Sequence, residues 1–137
     1  MFGVDSGEER VRLNQLSNVI VSAALRVHKE LGPGMLESAY EACLYFELTQ
    51  SGLRVERQKP LPLVYRGQRM NCGYRLDLLV EDVIIVEVKA IERLEQVHSA
   101  QLLSYLRQTK LKLGLLFNFN VKWLQDGTRR VVNAFPE

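Results

Sequence analysis

A chain of 137 residues with 47% hydrophobic content suits one domain with a proper core, argues against disorder, and is too short for two comfortable domains. Its formal net charge of +2 argues neither for nor against a nucleic-acid partner, but the charge is unevenly spread. Residues 51–75 carry six basic groups and one acid, whereas residues 76–104 carry two basic groups and six acids. No apolar run approaches the ~20 residues of a membrane span. The first dozen residues lack the apolar stretch of a signal peptide. Cys43 and Cys72 lie far apart without metal-ligand spacing, so reduced thiols in a cytoplasmic protein are expected.

Residues 1–13 are expected to form a flexible terminus, and residues 14–137 a single domain. A first helix is predicted from Asn14 to Leu31, with Leu16, Val19, Ile20, Ala23, Ala24, Val27 and Leu31 at 3–4 spacing. Gly32 stops it and Pro33 blocks its continuation. A second helix is predicted from Met35 to Gln50, closed by Ser51-Gly52. Four strands are expected next, with a turn at Arg66-Gly67 and an edge strand or bulge at Pro60 and Pro62. The run "VIIVEVKA", Val83 to Ala90, reads as a central strand because "VIIV" is apolar on both faces. A third helix, about Leu94 to Thr109, precedes a strand in "LKLGLLFNF", a turn at Asp126-Gly127 and a last short strand in "RRVVNA". The pattern predicts an α/β protein, one mixed sheet with helices packed on it.

Three charged residues interrupt the apolar strands. On "VIIVEVKA" Glu87 and Lys89 share a face, because strand side chains alternate. A three-residue loop, Glu81 to Val83, would pair Val80 with Ile84 and set Asp77 opposite Glu87, with Cβ atoms roughly 4.5–5.5 Å apart. An even-numbered loop would turn Asp77 away. Two carboxylates that close repel unless something positive lies between them, and Mg²⁺ is commonly held by one or two carboxylates plus phosphate oxygens. Lys89 would then orient or help deprotonate an attacking water. An acid-x-Lys triplet also arises by chance about once in a chain of ordinary composition, and a half-exposed Glu–Lys pair would explain it equally well. Two clusters add weight. Glu37 opens the second helix, with Tyr40 and Glu41 on its face; His98, Gln101 and Tyr105 recur at i, i+3 and i+7 on the third. Such polar groups are either a plain boundary face or donors to phosphates and bases.

"LGPGMLESAYEACLYFEL", "CGYRLDLLVEDVIIVEVKA", "VHSAQLLSYL" and "LGLLFNFNV" together resemble the GxxExxY family of the PD-(D/E)XK nuclease superfamily, over about residues 14–133. Gly34, Glu37 and Tyr40 carry the name-giving motif. The resemblance implies a restriction-endonuclease-like core, a mixed β-sheet flanked by helices. It implies Mg²⁺ or Mn²⁺ held by Asp77, Glu87, the Val88 carbonyl and Glu37, with Lys89 as catalytic base or water-positioner. Gln101 and Tyr105 resemble the QxxxY motif associated with substrate binding, and His98 and Tyr40 join them as candidate contacts. Leu76 stands where the superfamily usually has proline. Arg57, Lys59, Arg75 and Arg93 are candidate backbone contacts. The expected function is a divalent-metal-dependent nuclease acting on nucleic acid, DNA rather than RNA. The alternative is a non-catalytic nucleic-acid-binding or assembly module that keeps the fold. No membrane partner is expected, and pairing into a homodimer is compatible with the resemblance.

Overall fold

The computed structural model describes residues 6–137. In chain order the elements are α1 (Ser6–Leu31), α2 (Glu37–Gln50), β1 (Val55–Pro60), β2 (Leu63–Tyr65), β3 (Gln68–Met70), β4 (Arg75–Val80), β5 (Ile84–Lys89), α3 (Gln96–Thr109), β6 (Leu113–Asn118), a 3-10 turn (Leu124–Gly127) and β7 (Thr128–Val132). The first helix begins at Ser6 rather than Asn14, so residues 6–13 are helical; residues 1–5 of the expected terminus lie outside the described residues. Tertiary contacts extend it: Leu13 is buried, and Glu9 accepts from Lys112 Nζ at 2.7 Å. Glu8 and Glu9 also suit the positive end of the helix dipole.

Five strands form one sheet in the order β1-β4-β5-β6-β7. All neighbours are antiparallel except β5 and β6, whose parallel pairing needs the crossover that α3 supplies. As the prolines foretold, β1 is an edge strand, and β5 lies at the centre. Five strands rather than four precede α3, because Arg66 and Gly67, both at positive φ (51° and 80°), close β2 and β3 into a separate hairpin.

One face of the sheet presents Leu78, Val80, Val86, Val88, Leu115 and Phe117 to the buried stripe of α1 and α2. The other presents Leu79, Ile85 and Leu116 to Leu102, Tyr105 and Leu106 of α3. Burial on both faces is why "VIIV" reads as a continuous apolar run. The corner between α1 and α2 is tied by Tyr40. Its hydroxyl donates to Gly32 O at 2.5 Å and accepts from Met35 N at 3.1 Å, and its ring stacks on Phe119 at 4.7 Å. Gly34, at φ +103°, takes a backbone conformation that a side chain would strain.

Candidate active site

The β4–β5 turn has the three-residue loop that a metal site required, rather than the even-numbered one. Val80 pairs with Ile84, Leu79 with Ile85 and Leu78 with Val86. Glu81 and Asp82 both adopt positive φ, and Val83 N–H returns to Val80 O at 3.0 Å. Beyond Leu78 and Val86 the ladder gives way to side chains. Asp77 N–H donates to Glu87 Oε2 at 2.9 Å, and Val88 N–H donates to Asp77 Oδ2 at 2.8 Å. The two acids thus bridge strands whose backbones have parted. The alternation of β4 breaks here too: Leu76 packs with the α3 cluster, whereas Leu78 packs with the α1–α2 cluster.

Burial raises the Asp77 carboxyl to about 6; the Val88 N–H opposes this, and the charges of Glu41 and Glu37 add to it. Glu87 is only 4% exposed, and burial followed by the Asp77 charge pushes it up to about 8. The Lys89 ammonium draws both back toward ionisation. Lys89 is half-buried and follows Glu87 on the same face of β5. Its side chain has no hydrogen-bond or ion-pair partner among the described residues.

Of the helix residues, Glu37 is exposed at the first position of α2, near enough to act on Asp77 through its charge. Tyr105 is 7% exposed and meets Tyr74 edge-on, with ring centroids 6.0 Å apart. Burial and then the Glu87 charge push its phenol up to about 12. Gln101 lines a cleft beside it. His98 Nδ1 accepts from Glu95 N–H at 2.8 Å and completes a capping box, which leaves Nε2 as the donor of the neutral ring. Tyr40 departs from the expected substrate contact. It is fully buried, and Gly32 and Met35 occupy its hydroxyl.

The sequence profile of the PD-(D/E)XK nuclease superfamily matches residues 14–131. The chain belongs to this superfamily. No curated protein and no solved structure matches it. The five-stranded mixed sheet with α1 and α2 on one face and α3 on the other is the restriction-endonuclease-like architecture.

This PD-(D/E)XK chain adds Gln58, which its sequence did not single out, and gives Glu41 and Arg57 a different part from the one expected. Glu41, 6% exposed, accepts from Arg57 Nη2 at 3.0 Å and from Gln58 Nε2 at 2.7 Å. The same Gln58 amide reaches Asp77 Oδ1 at 3.3 Å. Gln58 stands opposite Asp77 where the β1–β4 register is interrupted, and it takes φ +51°. Strain at a non-glycine residue persists only where its surroundings hold it, here the two acids and Arg75, which donates to Gln58 O at 3.0 Å. Arg57 therefore serves Glu41 rather than standing free for phosphate. Lys59 is paired with Glu56 at 2.9 Å and Arg93 with Glu95 at 3.6 Å.

PD-(D/E)XK nucleases typically use divalent metals. Among the described residues no group of three or more His, Cys, Asp or Glu side chains is placed to hold an ion. The donor set fits a divalent cation in a sparser way. A buried Glu87 carboxylate and a half-buried Asp77 carboxylate that repel each other beside a strand backbone suit an ion that takes its remaining ligands from water and phosphate. No helix among the described residues is long and apolar enough to cross a membrane.

Proposed function

We propose that this chain is a divalent-metal-dependent nuclease that hydrolyses phosphodiester bonds, with DNA as substrate, and that it belongs to the GxxExxY group of its superfamily. The observation that carries the reading is the Asp77–Glu87 pair at the parted ends of β4 and β5, with Lys89 on the Glu87 face. Both carboxyls sit above their ordinary values because burial and repulsion disfavour their charges, and a bound cation would relieve both effects. Asp77, Glu87 and the Val88 carbonyl would hold Mg²⁺ or Mn²⁺. Such an ion supplies positive charge to phosphate oxygens and acidifies a bound water. Lys89, free of protein partners, donates to the attacking water or to a phosphate oxygen and fixes its direction of approach. Attack on phosphorus in line with the 3′ oxygen leaves a 5′-phosphate. Gln101, Tyr105 and His98 line the approach from α3. Support for the GxxExxY assignment comes from Gly34 and Tyr40, whose motif positions shape the α1–α2 corner, and from Glu37 at the start of α2.

One observation favours a non-catalytic nucleic-acid-binding module. Glu41, the buried acid that Gln58 links to Asp77, is committed to Arg57 and Gln58, so among the described residues a third acid would have to come from the exposed Glu37. A gel assay on labelled single- and double-stranded DNA, with Mg²⁺, Mn²⁺ or EDTA, separates the readings. Wild type should cleave only with metal, and Lys89→Ala should lose cleavage while retaining binding. Wild-type cleavage by the mutant would refute the assignment. Binding without cleavage in wild type, together with calorimetry showing no uptake of either ion, would favour the module.

A further inference from the structure

Two clefts share Leu61 and Tyr74. The first, about 460 Å³, runs between α3 and the β2–β3 hairpin and is lined by Leu61, Leu63, Gln101, Ser104 and Tyr105. The second, about 410 Å³, lies on the other side of Tyr74 and includes Arg69 and Arg75. Tyr74 is 43% exposed and stands as a wall between them, its ring braced edge-on by Tyr105. Tyr105 in turn is close enough to Glu87 to feel its charge, and Tyr74 precedes Asp77 by three residues, so the first cleft neighbours the acid pair.

We propose that the first cleft is a binding site for an unpaired nucleobase, which makes the substrate a strand with unpaired nucleotides rather than an intact duplex. This rests on the nuclease reading for the position of the reacting phosphate. The cleft offers an aromatic surface and an apolar floor, which suit a base face. Gln101 and Ser104 have no hydrogen-bond partner among the described residues and are available to the base edge. Gln108 anchors the opposite wall by accepting from Val64 N–H at 3.2 Å. Charge on the far side of Tyr74 matches a phosphate backbone: Arg69 has no ion pair or hydrogen bond among the described residues, and Arg66 at the hairpin tip is equally unpaired. A base held in a duplex presents neither face nor edge to such a cleft until it leaves the stack.

The test measures affinity by fluorescence anisotropy with Mg²⁺ present. It uses the Lys89→Ala background, so that cleavage does not intervene whether or not the chain is a nuclease. The probes are a 12-nucleotide single strand, the same strand carrying abasic positions, and a blunt duplex. The intact single strand should bind tightest. Tyr74→Ala should weaken it by roughly 5- to 100-fold, the range of one base–aromatic stack, and should barely change the abasic strand. Ser104→Trp, at an exposed helix position, should fill the cleft and give the same selective loss without touching Tyr74. Equal losses on intact and abasic strands in both variants, or equal affinity for single strand and duplex, would overturn the proposal. So would a nucleic-acid-free dimer that Tyr74→Ala dissociates, since the cleft would then hold a second copy. Failure of wild type to cleave any DNA, with the abasic discrimination intact, would sink the nuclease reading and leave the base site standing.

Discussion

Replacing Glu87 by glutamine should stabilise the metal-free protein while removing its chemistry. The Glu87 carboxyl moves from an ordinary 4.5 to about 8 on folding, driven by burial and then by Asp77. Between those values the folded chain holds a proton that the unfolded chain has released, so stability falls as pH rises through that window. At pH 7 the penalty comes to about 3 kcal/mol, at ~1.4 kcal/mol per unit of difference. Glutamine keeps an oxygen to accept the Asp77 N–H and carries no charge to bury or to repel Asp77. In urea unfolding with EDTA, the advantage of Glu87→Gln should be near zero at pH 4.5 and grow to about 3–4 kcal/mol by pH 7.5. Mg²⁺ should then restore wild type and leave the variant unchanged. A difference that stays constant across pH, or a variant less stable at every pH, would refute the reasoning.

Arg57→Ala should destabilise the fold by about 2 kcal/mol in urea, toward the low side for a broken buried pair because Arg57 is partly exposed. Adding Glu41→Gln should recover part of the loss by removing the stranded charge. Asn118, 1% exposed, accepts from Ile91 N–H at 3.0 Å and donates to Ile91 O at 2.9 Å, so it fixes the chain just after Lys89. Asn118→Ala should lower stability by roughly 1–3 kcal/mol and reduce any metal-dependent cleavage, read by thermal melting and the gel assay.

The sequence narrowed the β4–β5 register to two alternatives, because turn length is a local property that decides which side chains oppose each other, and the structure chose the three-residue loop that the metal reading required. The edge position of β1 followed from its proline for a similar reason. Tyr40 was not legible: helical spacing groups it with Glu37, but only the docking of Phe119 beneath α2 decides that it points inward. The start of α1 was missed because residues 6–13 have a weak apolar pattern, and what holds them, Lys112 on Glu9, lies about a hundred residues away. The Glu41–Gln58–Asp77 bridge gave no sequence signal either. It depends on the register between β1 and β4, two strands separated by the whole hairpin.

The exchange between Asp77 and Glu87 also gives these acids a duty apart from the catalysis proposed for them. They replace the rungs that the β4–β5 ladder lacks at its open end. A chain of this design without cleavage activity would still need a carboxylate at each position to keep the strands joined, so finding them says little about turnover. Lys89 carries no comparable obligation, because its ammonium fastens nothing. Its identity is the better gauge of whether a chain of this design is still an enzyme.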